Sequence, residues 1–310
     1  MVDLFPPNLR IYPTLRGYPA GDAWLDNLPE QVEAARARWE LTLLPPYPGG
    51  SCSWVAPARR ADGTDVVLKL CWPHREARGE AAALAAFAGR GAVRLLERSF
   101  DGYVMLLERV LPGKELGAEV GVPAEERLLA GAAVLAELWS APLPAEGAVE
   151  RLDVVTADWA GEGEVVAARP GLGLDSGLVR HGLDLLHGLP GGAERVVLLH
   201  GDFNPGNLLS AERVPWLAID PKSMVGDPAY DPWPLVEQVD DPFRHADPRE
   251  VLRRRTALVC DAVSVPVDRV LAWAVARRVE TALGVAGDGD LDAAASILAE
   301  ARIVADLLGV

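Results

Sequence analysis

Hydrophobic and polar residues alternate in two different ways along the chain. Between residues 51 and 110, short apolar runs alternate with turns: SCSWVAPA and DVVLKLCW flank Asp62-Gly63, and two more runs flank Asp101-Gly102. Apolar runs on either side of an Asp-Gly turn predict β-hairpins. The Ala-rich stretch from Glu76 to Phe87 predicts a helix between the hairpins. We therefore expect a small sheet in the order strand, strand, helix, strand, strand.

Apolar residues recur every three or four positions in most of the remaining chain, which predicts helices. One such stretch runs from Pro29 to Leu44, before the sheet, and the role of the first 45 residues stays open. Later helices are predicted to end near Trp139 and to cover about 176–187, 249–263, 267–284 and 291–308. A β-rich patch from Val196 to Pro221 interrupts them. We expect an N-terminal lobe of residues 1–108, a hinge at 107–113 and a helical C-terminal lobe of residues 109–310.

Composition and charge limit the kinds of molecule that this protein is expected to bind. Hydrophobic residues make up 50% and charged residues 24% of the chain, which is an ordinary globular composition. Asp and Glu outnumber Lys and Arg by 45 to 30, so the surface repels nucleic acid and favours a cationic small molecule. Three widely spaced cysteines indicate no disulfide framework or zinc site. Apolar runs stay far below the roughly 20 residues of a membrane span, so we expect a cytoplasmic protein without membrane partners.

The densest polar group between apolar runs is HGDFNPGN, which extends from His200 to Asn207 directly after the run VVLL. It contains Asp202, and the next apolar run, WLAID, ends at Asp220. A tight turn also contains Asp, Asn, Pro and Gly, so the loop alone has a second explanation. Together with Asp220, however, two carboxylates and an amide oxygen suit Mg²⁺. The arrangement matches the catalytic loop and metal-binding Asp of phosphoryl-transfer enzymes.

A kinase-like site also needs a cation on the third strand for the nucleotide phosphates and a carboxylate on the next helix. Lys69 in VVLKL and Glu80 in ARGEAAAL occupy those places, although each by itself is also typical of an exposed strand or helix residue. The preceding turn, PGGSCSW, could cover the phosphates with backbone N–H groups and the hydroxyls of Ser51 and Ser53, although G-x-G-x-x-G is absent. The sequence contains neither HExxH nor G-x-S-x-G, the patterns of zinc and serine hydrolases.

From about Pro48 to Gln238, the sequence resembles the aminoglycoside phosphotransferases, bacterial antibiotic kinases with a protein-kinase-like fold. The strings HGDFNPGNLL and WLAIDPKSMVGDPAYD are similar to the streptomycin 6-phosphotransferase branch, also described as the aminoglycoside/hydroxyurea resistance kinase group. The resemblance implies an α+β fold of two lobes, a small β-rich N-terminal lobe and a larger, mainly helical C-terminal lobe.

The resemblance also implies roles for individual residues. Asp202 would be the base or orienter for the attacking hydroxyl, and Asn207 and Asp220 would be the Mg²⁺ ligands. Lys69, held by Glu80, would contact the phosphates of ATP or another NTP. Three groups would have supporting roles: His200 and Asp231 at the catalytic loop, Leu107, Glu108 and Val110 at the adenine, and Asp227, Trp233, Glu237, Asp240 and Asp241 at the acceptor. A solvated acidic face is the alternative for this last group.

The expected function is Mg-NTP-dependent phosphorylation of a hydroxyl of streptomycin or a related aminoglycoside, which would confer antibiotic resistance. One alternative is a small-molecule kinase of the same fold that acts on a metabolic hydroxyl such as that of an amino alcohol. Another is a catalytically silent nucleotide-binding protein. The presence of Lys69, Asp202, Asn207 and Asp220 together argues against the silent protein.

Overall fold

The N-terminal part of the chain forms an antiparallel sheet of five strands. The computed structural model describes residues 3–309. The strands are β1 (Thr42–Leu43), β2 (Ser53–Arg59), β3 (Asp65–Cys71), β4 (Leu95–Arg98) and β5 (Val104–Glu108), and they lie in the order β1-β2-β3-β5-β4. The helix α3 (Glu80–Phe87) lies between the two hairpins in the chain. The predicted order of strands and helix is confirmed.

Two helices precede the sheet, α1 (Ile11–Leu15) and α2 (Pro19–Arg38). The predicted boundaries of 29–44 were wrong, because the buried positions of α2 begin at Gly21 and Pro29 is tolerated on its exposed side. Residues 42–43 are extended and pair with β2 instead. Both helices pack on the outer face of the sheet in a core of their own, which gives the N-terminal segment a structural role.

The strand β3 has two faces with different functions because side chains alternate along a strand. Leu68 and Leu70 are fully buried in the core shared with α2. Lys69 lies between them and extends from the opposite face, where it contacts α3. The alternation therefore aims a single cation away from the outer core and into the region between the two parts of the molecule.

The C-terminal part is mainly helical. Its helices are α4 (Ala124–Trp139), α5 (Leu152–Ala167), α6 (Ser176–Gly188), α7 (Pro232–Gln238), α8 (Pro248–Val263), α9 (Val267–Gly287) and α10 (Leu291–Leu308). Of these, α5 and the short α7 were not predicted. In α5, small residues fill much of the buried face while Val154 and Val165 are exposed. The helix α9 is central, and its segment from Val270 to Ala276 is buried on all sides.

Six short strands position the loops of the C-terminal part. They are β6 (Pro112–Glu115), β7 (Glu150–Arg151), β8 (Val197–Leu198), β9 (Leu208–Ala211), β10 (Trp216–Ala218) and β11 (Met224–Gly226). They form two sheets, in the orders β10-β9-β6 and β7-β11-β8. The predicted β-rich patch thus supplies β8, β9 and β10. No helix within residues 3–309 is long and apolar enough to cross a membrane.

Arg213, between β9 and β10, joins the helical part to the five-stranded sheet. It donates to Glu108 Oε1 at 2.7 Å and to the carbonyl oxygens of Gly89 and Ala92 at 2.9 and 2.8 Å. Next to it, the Ala218 N–H donates to the Gly91 carbonyl at 2.7 Å. These contacts hold the loop after α3 against the β9–β10 hairpin. The division of the lobes at residue 108 stays a prediction.

Candidate active site

Lys69 forms the centre of a buried ionic cluster. Its ammonium group lies 2.5 Å from Glu80 Oε1 and 2.5 Å from Asp220 Oδ1. Only 5% of Lys69 and 1% of Glu80 is exposed, and Glu80 stands in the first turn of α3. The structure therefore brings together three of the residues singled out in the sequence, although Asp220 lies far from the others along the chain.

Charge pairing outweighs desolvation in this cluster. Burial lowers the pKa of Lys69, but the carboxylates of Asp220 and Glu80 hold it well above its ordinary value. Burial likewise raises the pKa of Asp220, but Lys69 and Lys222 hold that pKa well below its usual range. Lys69 and Asp220 are therefore both charged near neutral pH.

The two predicted phosphate-covering serines differ in their surroundings. Ser51 is exposed in the loop before β2. Ser53 begins β2, and its hydroxyl donates to Cys71 Sγ at 3.4 Å instead of facing an open site. Cys71 in turn lies 3.4 Å from Glu80 Oε2, and burial raises the pKa of its thiol to about 12. Ser53 thus supports the side of the cluster formed by Glu80.

The loop after β8 is shaped by its own asparagines. The side-chain oxygen of Asn204 accepts from the N–H groups of Gly206 and Asn207 at 2.9 and 3.2 Å, which caps a short helical turn. The amide nitrogens of Asn204 and Asn207 donate to Asp202 Oδ1 and Oδ2 at 3.0 and 3.2 Å. These two bonds fix the orientation of the half-buried Asp202 carboxylate. Asn204 was not among the predicted site residues, although Asn before Pro-Gly is a capping signal.

The carboxylate of Asp231 binds the backbone at the start of this loop. Its carboxylate accepts from the backbone N–H groups of His200 and Gly201 at 2.9 and 2.8 Å, and from Trp139 Nε1 at 3.0 Å. Burial raises the pKa of Asp231 despite these hydrogen bonds. Both predicted supporting residues, His200 and Asp231, therefore contact the loop.

The imidazole of His200 is fully buried and links two chain segments. Nε2 lies 3.0 Å from the carbonyl oxygen of Ile219, while Nδ1 accepts the N–H of Asp202 at 3.3 Å. A neutral ring protonated at Nε2 satisfies both contacts. Burial also lowers the pKa of His200, which favours this neutral form.

Asn207 and Asp220 fit the requirements of Mg²⁺. The backbone N–H of Ile219 donates to the Asn207 carbonyl at 2.9 Å, which brings the end of β10 beside the loop. Because the Asn207 amide nitrogen faces Asp202, its amide oxygen is the available ligand. Asp220 has a left-handed backbone, with φ 55°, a conformation uncommon outside glycine. Mg²⁺ commonly completes its coordination with water and phosphate oxygens. Within residues 3–309, no group of three His, Cys, Asp or Glu residues is placed to hold a metal ion.

The predicted adenine segment contributes to the packing between lobes. Leu107 is buried and pairs with Val67 of β3. The Glu108 carboxylate is bound by Arg213, which holds its pKa below the usual range despite the opposing effect of burial. Val110 is half-buried against the core. The Glu108 side chain is therefore engaged, and only the backbone of this segment is a candidate for recognising a base.

A cleft of about 680 Å³ opens beside Asp202. It lies between the loop that precedes α3 and the helices α5 and α9. Its lining includes the ring of Trp159 and charged residues of both signs: the carboxylates are Glu76, Glu150, Glu162, Asp202 and Glu280, and the cations are Arg75, Arg78, Lys222 and Arg277. Its volume is in the range of small-molecule sites, so this cleft is the candidate acceptor site.

None of the five predicted acceptor residues lines this cleft. Asp227 is buried and accepts from Arg269 Nε and Trp273 Nε1, both at 2.6 Å. Trp233 is also buried, with 1% of its surface exposed. Asp227 therefore binds α9 to the turn before α7, and Trp233 belongs to the hydrophobic core.

The other three predicted acceptor residues have intramolecular partners as well. Glu237 pairs with Arg278 at 2.9 Å, and Asp240 pairs with Arg255 at 2.9 Å. Asp241 forms an ion pair with the Arg three positions later and caps the following turn. Their position after Asp220 in the sequence did not bring them to the cleft, and each of these carboxylates pairs with an arginine of the helical part instead.

Two cations near Asp202 were absent from the predicted site. Lys222 Nζ lies 3.2 Å from both carboxylate oxygens of Asp220, and its position two residues after Asp220 is the signal that could have found it. Arg277 of α9 stacks 4.2 Å from the centre of the Tyr230 ring and donates to the Tyr230 carbonyl at 3.2 Å. No local motif marks Arg277.

Gly201 is required where the loop meets Lys222. It has φ 85°, and a Cβ at this position would lie 2.1 Å from the Lys222 carbonyl oxygen. The N–H of Lys222 donates back to the His200 carbonyl at 2.8 Å. The loop and the segment after β10 are thus held in close register, which fixes Asp202 relative to Asp220.

The sequence matches a known protein family over most of its length. Residues 38–289 match the model of the aminoglycoside/hydroxyurea antibiotic resistance kinases. The chain belongs to this family. A streptomycin 6-kinase of Streptomyces glaucescens is 37% identical over 287 residues, covering 91% of each chain. A hydroxyurea phosphotransferase of Kitasatospora aureofaciens is 34% identical over 278 residues, covering 89% of this kinase and 78% of that protein.

Solved structures share the fold at lower identity. A macrolide 2′-phosphotransferase of Brachybacterium faecium superposes with a TM-score of 0.58 at 21% identity, covering 88% of this kinase and 98% of that chain. A choline kinase of Streptococcus pneumoniae gives a TM-score of 0.62 at 12% identity, covering 90% and 99%. The predicted two-lobed α+β fold is confirmed.

Proposed function

We propose that this kinase transfers the terminal phosphoryl group of Mg-ATP, or of another Mg-NTP, to a hydroxyl of streptomycin or a related aminoglycoside. The observation that carries this proposal is that Lys69 contacts Asp220, Asn207 contacts Asp202, and a backbone hydrogen bond from Ile219 to Asn207 joins the two pairs beside the cleft that Asp202 lines. The acceptor class is supported by the relatives named streptomycin 6-kinase, at 37% and 34% identity. Modification of the antibiotic would make the host resistant to it.

In this proposal, the acceptor hydroxyl lies at Asp202. Its oxygen forms a bond to the terminal phosphorus while the bond from that phosphorus to the bridging oxygen breaks. Asp202 receives the hydroxyl proton, and the amides of Asn204 and Asn207 keep its carboxylate oriented for this step.

The charged groups on the nucleotide side would have distinct roles. Asn207 and Asp220 would hold Mg²⁺, which when bound neutralises charge on the phosphates. Lys69 would contact the phosphates while Glu80 fixes its position. We propose that the base lies against the backbone at Leu107–Val110, between lobes formed by residues 1–108 and 109–310, and that the kinase acts in the cytoplasm, where NTPs are available.

The test is turnover with purified kinase and a panel of acceptors. We expect incubation with Mg-ATP or Mg-GTP to give streptomycin that is heavier by one phosphoryl group, measured by mass spectrometry. Hydroxyurea, choline and an aminoglycoside with a deoxystreptamine core serve as comparison acceptors. Rapid phosphorylation of choline without phosphorylation of streptomycin would favour a metabolic kinase. Nucleotide binding without turnover of any acceptor would favour a silent protein.

A further inference from the structure

Two helices present aligned residues to the cleft beside Asp202. Trp159 and Glu162 are three positions apart on α5, and Arg277 and Glu280 are three positions apart on α9. Residues at this spacing share one face of a helix. Each helix therefore contributes one ring or guanidinium and one carboxylate to the wall of the cleft.

The two glutamates have no ionic partner in the described chain, unlike Arg75, Glu150 and Lys222 in the same cleft. Within the part of the chain from residue 3 to residue 309, neither Glu162 nor Glu280 forms an ion pair. Glu280 is half-buried and receives only a 3.4 Å hydrogen bond from the neighbouring Thr281 hydroxyl. By comparison, Glu150, which also lines the cleft, is bound by Arg75 at 2.9 Å.

Burial disfavours the charged form of Glu280. It raises the pKa of this carboxyl; Arg277 opposes the rise, while Glu162 and Glu76 add to it. Glu280 therefore carries a charge that the protein compensates only in part. A half-buried carboxylate in such surroundings becomes more favourable when a cation binds.

A buried hydroxyl is the independent sign of a ligand. Ser223 lines the same cleft, is 6% exposed, and its Oγ has no hydrogen-bond partner in the described chain. Buried hydroxyls are normally hydrogen-bonded, so this one indicates a partner that the protein does not supply. It follows directly after Lys222, which contacts Asp220.

We propose that Glu280 and Glu162 bind a guanidinium or ammonium group of the acceptor, while Ser223 hydrogen-bonds one of its hydroxyls. Trp159 lies one helical turn before Glu162, where its ring can cover the cation. A cation held there would place a neighbouring hydroxyl at Asp202. The inference rests on the proposed function and deepens it, because it names the residues that select a hydroxylated cation.

The first experiment measures binding of streptomycin by calorimetry without nucleotide, in Glu280→Gln and Glu162→Gln. We expect Kd to rise about tenfold for half-buried Glu280 and about threefold for exposed Glu162, because burial strengthens ion pairs. The Kd of Mg-ATP should change less than twofold. Glu164→Gln is the matched control, since Glu164 is on α5, contacts His187 at 3.2 Å and does not line the cleft.

The melting temperature distinguishes ligand binding by Glu280 from a purely structural role, because the two roles predict changes of opposite sign on substitution. Without ligand, Glu280→Gln should raise the melting temperature by about 1–3 °C, because it removes a charge that burial disfavours. Ser223→Ala should leave that temperature unchanged, since no hydrogen bond is lost, yet it should raise the streptomycin Kd about threefold. A lower melting temperature for Glu280→Gln would assign Glu280 to stability and overturn the inference.

The outcomes separate the inference from the proposed function. If the wild type phosphorylates streptomycin while Glu280→Gln and Glu162→Gln bind it with unchanged Kd, the inference is overturned and the function stands. If the wild type phosphorylates only hydroxyurea, which is neutral, both the proposed acceptor and the binding of a cation by Glu280 and Glu162 are overturned. If no acceptor is phosphorylated although Mg-ATP binds, both are overturned.

Discussion

Charged residues on the two sides of Asp202 differ in whether they form ion pairs. On the nucleotide side, Glu80, Lys69, Asp220 and Lys222 alternate in sign, with contacts of 2.5, 2.5 and 3.2 Å between successive members. On the acceptor side, carboxylates such as Glu280 line the cleft without an ion pair in residues 3–309. The first region is complete before any ligand arrives, whereas the second has charge that a ligand can neutralise.

Burial explains the difference. Lys69 and Glu80 are almost completely buried, and an unpaired charge there would be strongly destabilising. The acceptor cleft is open to water, so like charges are tolerated at a modest cost. The buried cluster is held by its own ion pairs, whereas the cleft contains carboxylates whose charge a cationic acceptor can neutralise. The following predictions test this division, from the largest expected effect to the smallest.

Asp202 lies between the two regions, and we expect it to act in the chemical step and not in nucleotide binding. We expect Asp202→Ala to lower kcat by about 10²–10⁴-fold, the usual contribution of a general base, measured in a coupled steady-state assay. The Kd of Mg-ATP, measured by calorimetry, should stay within twofold. Asp220→Ala is the comparison variant and should weaken Mg²⁺-dependent nucleotide binding. Equal loss of nucleotide binding in the two variants would contradict the division.

Breaking the paired cluster should cost stability as well as activity. Lys69→Met leaves the buried Glu80 without a cationic partner, and we expect the free energy of unfolding in urea to fall by about 3–5 kcal/mol. Glu80→Gln should cost less, and the double variant should be more stable than the sum of the single losses implies. Additive losses would mean that the pair does not form.

Salt should act on the two regions unequally. The Debye length falls from about 10 Å at 0.1 M to about 3 Å at 1 M, and exposed charges are screened more than buried ones. Across this range we expect KM for streptomycin to rise about fivefold, and KM for Mg-ATP to rise less. Glu280→Gln should flatten the dependence for streptomycin. If KM for streptomycin does not change with salt concentration, charge does not contribute to acceptor recognition.

The smallest effect concerns pH and the loop that holds Asp202. Burial lowers the pKa of His200 below its ordinary 6.5, so the folded protein binds this proton more weakly than the unfolded chain. The stability from neutral His200 is therefore complete above about pH 6.5 and is lost as pH falls toward and through the folded pKa. His200→Gln should be less stable at pH 8, and its gap to wild type should shrink by about 2–4 °C in melting temperature by pH 5. A constant gap would contradict a neutral imidazole.

Local patterns in the sequence determined much of the fold and one side of the site. Apolar runs beside Asp-Gly turns set the hairpins, and strand alternation aimed Lys69 away from the outer core. The loop from His200 to Asn207 was found because its capping and turn residues act over a few positions. The pairing of Lys69 with Glu80 was also accessible, since both follow from the order of strand and helix.

Only the tertiary structure decided which carboxylates face the acceptor. Asp227 and Glu237 lie soon after Asp220 in the sequence, yet Arg269 and Arg278 engage them within the helical part. Glu280 reaches the cleft because of the way α9 packs against its neighbouring helices. Periodicity reports that a residue lies on the polar face of a helix, but the packing of distant helices decides whether that face meets solvent, an arginine or a ligand.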